Sequence, residues 1–339
     1  MQAIRIHQTG GADVLALETL PDPAPAPGEV LIDVEAAGVN FIDCYHRSGL
    51  YPQPLPFTPG MEGAGTVCAL GAGVTDWKIG DRVAWAGVPG SYAERIVVPA
   101  NRLVLVPADL STEQAAAALL QGLTARVLTV ETCPLAPGDQ VLIHAGAGGM
   151  GRLLIQMARW RGARVITTVG HAEKIPLARA AGAERVIDRR HEDVLAACRD
   201  WTEGKGVRAV FDGIGAATFD TSVAALAKRG MLVLFGQASG PVPPIDPVRL
   251  AASSLFLTRP SLFHYIAEPA ALRTHAEAVF GALAAGELHL LIHQTLPLSD
   301  AATAHRALES GRTVGKLLLV TERACVPTAL AAGDRLRAL

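Results

Sequence analysis

The chain reads as an α/β protein in which a β-rich domain is joined to a six-stranded parallel sheet. Three observations lead there. In QVLIHAGAGGMG (residues 140–151) a compact apolar run meets a glycine cluster, and an amphipathic helix pattern begins at once. From residue 140 to residue 258, apolar strands and helical patterns alternate. Upstream of residue 107, short strands are punctuated by glycine and proline. A glycine cluster alone also suits a turn with no ligand, so the alternation around it carries the assignment.

Size and composition set the bounds. At 339 residues the chain is too long for one small core, and two domains are expected. A net charge of −2 gives no electrostatic reason to expect nucleic acid. No apolar run reaches membrane-span length, and the opening MQAIRIHQTG has no signal-peptide core. The five cysteines are scattered with no Cys-x-x-Cys pair, which suits a cytoplasmic location and argues against a disulfide framework or a structural zinc.

Taken in order, strands are expected at 2–7, 29–36, 63–70, 82–85 and 92–99, in a Greek-key or barrel-like arrangement. The stretch PDPAPAPGE (21–29) is a stiff connector, and 40–59 is a long loop or helix-bearing excursion. Ser111 and Gln114 form a capping-box signature ahead of an alanine-rich helix. Parallel strands follow at 140–145, 164–169, 185–187, 208–212, 231–235 and 254–258. Helices between them fall at 149–161, 172–181, 192–201 and 217–226, with a short one near Pro247. Six such strands are a full Rossmann sheet. Helices at 270–286 and 301–309 and a strand at 315–320 return to the first domain, and the last residues are a loose extension. The expected division is therefore 1–121 with 255–325, then 122–254, then an extension over 326–339.

The second parallel strand ends Thr167, Thr168, Val169, Gly170, without the acid that would hold the ribose hydroxyls of NAD. Lys174 follows within a turn, and Arg189 and Arg190 lie past the third strand. Loss of the acid removes repulsion to a 2′-phosphate and the cations attract it, so the dinucleotide expected is NADPH.

The chain resembles the zinc-free quinone oxidoreductases, the zeta-crystallin group of the medium-chain dehydrogenase/reductase superfamily, over residues 1–320. The residues that carry the resemblance are AAGVNFIDCYHRSGLYP (36–52), PGMEGAG (59–65), GDRV (80–83), QGLTA (121–125) and HAGAGGMG (144–151). Further matches are TVGHAEK (168–174), FGQASG (235–240), TRPSL (258–262) and the pair Gly315, Lys316. The resemblance implies a GroES-like catalytic domain beside the Rossmann domain, and a homodimer through the edge of the sixth strand. It also supplies the sharpest competitor, the zinc alcohol dehydrogenases. Their zinc ligands fall at Asn40, Met61 and Leu120 here, and an amide, a thioether and an alkyl group do not build such a site. No metal is expected, and Glu62 becomes a structural hydrogen-bonding residue.

Without a Lewis acid, hydride from NADPH suits a quinone or another conjugated carbonyl better than a simple ketone. The resemblance implies Asn40 at the nicotinamide end and Tyr45 and Tyr51 lining the acceptor pocket. It also implies Gly148, Gly149 and Met150 at the pyrophosphate and Gly170, Lys174 and Arg189 around the 2′-phosphate. Thr124, Gly236 and Gln237 would then lie on the nicotinamide side, with Lys316 beside the cleft. Arg189 stands where relatives often carry an aromatic residue beside the adenine. His46 reads as a solvated loop histidine. The expected activity is NADPH:quinone reduction; reduction of 2-alkenals or enoyl thioesters on the same scaffold, or a structural NADPH-binding protein, are the alternatives.

Overall fold

The structure is a computed structural model that describes residues 1–321; the expected extension over 326–339 lies outside the described residues. The N-terminal part is built from β1 (Gln2–Arg5), β2 (Ala16–Thr19), β3 (Glu29–Val39), β4 (Glu62–Leu70), β5 (Arg82–Ala86), β6 (Arg95–Pro99) and β7 (Leu103–Leu105). Helix α1 (Phe41–Ser48) interrupts them, so the excursion after Asn40 begins as a helix. Helix α2 (Thr112–Val127) follows, with Ser111 Oγ accepting from Gln114 N at 3.1 Å and Gln114 Oε1 accepting from Ser111 N at 2.9 Å. That is the reciprocal cap the sequence announced.

The second part carries β8 (Gln140–Ile143), β9 (Arg164–Val169), β10 (Arg185–Asp188), β11 (Val207–Asp212), β12 (Leu226–Leu234) and β13 (Phe256–Thr258). They form one sheet in the order β10-β9-β8-β11-β12-β13, and every pairing is parallel. Between them run α3 (Gly149–Trp160), α4 (Ile175–Ala180), α5 (Val194–Trp201), α6 (Phe219–Ala225) and the short α7 (Val248–Ala251). Strands β8, β9 and β11 carry buried Val141, Ile143, Val165, Ala209 and Phe211, because helices cover both faces of a parallel sheet.

The chain then returns through α8 (Leu262–Tyr265), α9 (Pro269–Ala284), β14 (Ile292–Pro297), α10 (Ala301–Glu309) and β15 (Lys316–Val320). Strand β15 pairs antiparallel with β3, closing the N-terminal sheet in the order β14-β15-β3-β4-β5-β7. Two details bear on the expected division, which is kept as a proposal. Sheet pairing puts β13 with the Rossmann strands, beyond the expected boundary at 254, and the boundary at 121 falls inside the continuous helix α2.

Candidate active site

The site sits where the end of β3, helix α1 and the closing strand β15 meet the C-terminal ends of the parallel strands. Its centre is a buried polar cluster. Glu62 is fully buried at the start of β4; it accepts from Asn40 Nδ2 at 2.7 Å and from Leu120 N at 2.7 Å, and it is paired with the Lys316 ammonium. Lys316 Nζ also donates to Asn40 Oδ1 at 2.8 Å, and Gln121 Nε2 donates to the same oxygen at 3.3 Å. Asn40 Nδ2 further donates to Gly38 O at 3.2 Å. A Cβ at Gly38 would collide with the Glu62 carboxylate and with Ala116 O, which is why β3 carries a glycine there. Both ends of the Asn40 amide are thus committed inside the protein, so a nicotinamide contact by Asn40 would replace one of these bonds.

The resemblance places the ligand positions of the zinc dehydrogenases at Asn40, Met61 and Leu120, in and beside this cluster. Asn40, Met61 and Leu120 offer no zinc donor set, and Glu62 is already engaged by an ammonium and two N–H groups. Among the described residues, no group of three or more His, Cys, Asp or Glu side chains could hold a metal ion. The residues present do not fit a catalytic zinc.

A second buried chain braces α1 from behind. Asp43 Oδ2 accepts from Asn40 N at 2.8 Å and from Tyr92 Oη at 3.0 Å, while Oδ1 has no partner. Tyr92 Oη lies 3.2 Å from His305 Nε2, and His305 Nδ1 lies 3.2 Å from Arg47 Nη1. Arg47 then makes two bonds to Glu309, at 2.6 and 3.0 Å. Because Tyr92 donates to Asp43 and Arg47 can only donate, the consistent arrangement is a neutral His305 carrying its proton on Nε2. Burial pushes the Asp43 carboxyl up from 3.8 to about 7, and burial with the Arg47 charge pushes His305 down to about 3.

The two shifts act oppositely on stability. Between pH 3.8 and about 7 folded Asp43 keeps a proton that the unfolded chain has lost, so its contribution falls as pH rises. Between about 3 and 6.5 the unfolded chain holds a proton on His305 that the folded protein lacks, so that contribution rises with pH. The expected result for Asp43→Asn, which cannot ionise, is a Tm that gains on wild type as pH rises from 4 to 7.5. Parallel Tm profiles for the two proteins would show that Asp43 does not titrate in this window.

Tyr45 and Tyr51 do come together, edge to face with ring centroids 5.2 Å apart. Each reaches across to the parallel sheet. Gln237 N donates to Tyr45 Oη at 3.0 Å, and Arg259 Nη2 donates to Tyr51 Oη at 2.9 Å. Burial raises the Tyr45 phenol to about 12, so it keeps its proton at neutral pH. His46 is not a solvated loop residue: it lies in α1, 6% exposed, with its ring 6.2 Å from that of Tyr51, and burial lowers its pKa.

The start of α3 is the face expected to meet the dinucleotide. Gly148 is its N-cap, and no side chain caps it. A helix start without a side-chain cap offers N–H groups to an anion. At Gly149 a Cβ would press on Gln121 Oε1 and Gly315 O, and Gln121 Oε1 is buried without a partner. Gly315, at φ +66°, docks onto this loop through its N–H to Ala147 O at 3.0 Å. These features fit a dinucleotide pyrophosphate passing over bare backbone. Met150, partly buried, packs beside them on α3.

Gly170 and Arg189 meet at the end of β9, where a Cβ on Gly170 would lie 3.7 Å from Arg189 Nη2, and Lys174 ends the short turn that follows. Lys174, however, is 7% exposed, and its Nζ donates to Gly311 O at 2.7 Å and Thr313 O at 2.9 Å. A 2′-phosphate there would compete with two carbonyls already in place. Thr124 Oγ1 donates to Leu120 O at 2.7 Å within its own helix, which leaves its oxygen only as an acceptor. Gly236 lies against Gly213, and its carbonyl accepts from Arg259 Nη1 at 3.2 Å. Sequence reasoning assigned no role to Gln121 or Arg259, although both stand inside matched motifs, QGLTA and TRPSL.

Comparison with known proteins agrees with this layout. Residues 26–108 match the model of the alcohol dehydrogenase GroES-like domain, and residues 149–276 match that of the zinc-binding dehydrogenase. The quinone oxidoreductase of Pseudomonas aeruginosa is 43% identical over 320 residues, covering 94% of this chain and 98% of the relative. The 2-haloacrylate reductase of a Burkholderia species is 39% identical over 335 residues, covering 95% and 99%. The Escherichia coli quinone oxidoreductase solved with NADPH superposes with a TM-score of 0.92 at 40% identity, covering 94% of this chain and 100% of that one. With such identity over nearly the whole length, and without a zinc donor set, the chain belongs to the zinc-free quinone oxidoreductase group of the medium-chain dehydrogenase/reductase superfamily, and it is an oxidoreductase.

Proposed function

We propose that this protein is a metal-independent NADPH:quinone reductase. The observation that carries the reading is the pairing of Tyr45 and Tyr51 with Gln237 and Arg259 at the C-terminal ends of the parallel strands, on the same edge as the uncapped start of α3. NADPH is supported by the missing acid after β9, by Lys174 and Arg189 nearby, and by the relative solved with NADPH. Bound there, NADPH would supply a hydride. Gly148, Gly149 and Met150 would take its pyrophosphate, and Lys174 its 2′-phosphate. Tyr45 accepts a hydrogen bond from Gln237 N and so keeps its own hydrogen for an acceptor oxygen. The two tyrosine rings offer a flat quinone an apolar wall. A homodimer through β13, where Phe256 is 52% exposed, and a cytoplasmic location suited to the buried thiols of Cys44, Cys133 and Cys198 belong to the same reading.

A second reading, reduction of a conjugated carbonyl, is favoured by the 2-haloacrylate reductase relative. Steady-state turnover of NADPH with 1,4-benzoquinone, 9,10-phenanthrenequinone and a 2-enoyl thioester separates the two. The expected result is that at least one quinone is turned over faster than the thioester. Faster turnover of the thioester than of both quinones would replace the first reading by the second.

A further inference from the structure

We infer that Arg259 is the anion-recognising residue of the acceptor pocket, and that among conjugated carbonyl acceptors this chain favours those with a carboxylate next to the reducible double bond. The inference rests on the second reading above, reduction of a conjugated carbonyl. Arg259 follows β13, and its guanidinium is fixed on two sides. Nη1 spends both hydrogens on strand-end carbonyls, Leu234 O at 2.8 Å and Gly236 O at 3.2 Å. Nη2 spends one on Tyr51 Oη at 2.9 Å. That leaves the Nε–H and one Nη2–H without an acceptor among the described residues. No carboxylate among the described residues pairs with Arg259. Arg95, by contrast, is matched by Asp22 and Asp33. Arg259 is instead an unneutralised cation with two donors to spare, and its charge already acts on the Tyr45 phenol one ring away.

The position matters for the chemistry. Gly236 and Gln237 flank the place proposed for the nicotinamide, and Arg259 holds Gly236 O while Tyr45 holds Gln237 N. An acceptor lying against Tyr45 and Tyr51 would therefore have the guanidinium at one end. A conjugated carboxylate is a poor hydride acceptor in water, because the electrons pushed into it add to a charge already there. In the step considered, hydride from NADPH forms a C–H bond at the β-carbon, and the alkene pair moves onto the α-carbon and the carboxylate. A solvent proton then closes the α-carbon, leaving the saturated acid and NADP⁺. Negative charge on the carboxylate grows in that transition state, and a fixed guanidinium stabilises it more than it stabilises the ground state. Arginine suits this better than lysine because its planar donors are held in place by the two carbonyls.

The test compares 2-chloroacrylate with its methyl ester, using wild type, Arg259→Gln and Arg259→Lys with NADPH. For wild type, kcat/KM is expected to be higher for the acid than for the ester. Arg259→Gln should lower the acid-to-ester ratio about tenfold or more, as loss of a charge-assisted bond implies, and Arg259→Lys should recover part of it. Equal losses for acid and ester would overturn the inference and reduce Arg259 to a brace for Tyr51. A readout independent of turnover is calorimetric binding of 2-chloropropionate to the NADP⁺ complex. Binding that Arg259→Gln weakens, and that rising salt weakens in wild type, supports the inference even if no acceptor is turned over, an outcome that would sink only the reductase reading. Binding indifferent to Arg259 would overturn it.

Discussion

Replacing Lys316 with Met is expected to cost about 3–5 kcal/mol of folding stability, the usual loss when one partner of a buried ion pair is removed. Lys316 is 2% exposed and Glu62 fully buried, so the stranded carboxylate has no water to turn to. Asn40 Nδ2 and Leu120 N would still donate to it, but neither supplies a full charge. Asn40 Oδ1 would also lose its 2.8 Å bond, and with it the amide orientation at the start of α1. The measurement is the urea midpoint at constant m-value. The double variant Glu62→Gln with Lys316→Met removes both charges and should regain most of the loss. A single-variant cost below about 1 kcal/mol, the range of exposed ion pairs, would show that Glu62 and Lys316 do not form the buried pair described.

Lys174→Ala is expected to weaken NADPH about ten- to a hundredfold while changing NADH little, because a charge-assisted phosphate bond contributes about 1.5–3 kcal/mol. The carbonyls of Gly311 and Thr313 make this a sharper test than a solvated lysine would. Removing the side chain also frees the 311–313 backbone, and NADH, which has no 2′-phosphate, reports that effect alone. Fluorescence titration of both nucleotides against both proteins measures the difference. Equal losses would mean that Lys174 braces the backbone and does not read the phosphate.

The parallel sheet was legible because its signals are local. A buried apolar strand, glycines and a helix start lie within the twelve residues from 140 to 151, and the pattern repeats downstream. The cap of α2 was equally local, three residues from Ser111 to Gln114. Strand β14 was missed for the opposite reason: its residues are mostly exposed, so IHQTLP shows no buried apolar face. Helix α1 was obscured because its buried side includes Asp43, His46 and Arg47, polar groups satisfied by distant partners. The site divides in the same way. Asn40, Tyr45 and Tyr51 share one short segment. By contrast, the Lys316–Asn40 contact spans 276 residues and the Arg259–Tyr51 contact 208, and no spacing rule reaches so far. Glu62 could be separated from metal binding by its neighbours' chemistry, but its partnership with Lys316 needed the folded chain.

The most direct test of the account is NADPH oxidation by purified, chelator-treated protein in the presence of 9,10-phenanthrenequinone. The expected result is steady oxidation that chelation does not diminish and that added zinc does not raise. Tight NADPH binding without oxidation by this quinone or any conjugated carbonyl, or activity restored only by zinc, would contradict it.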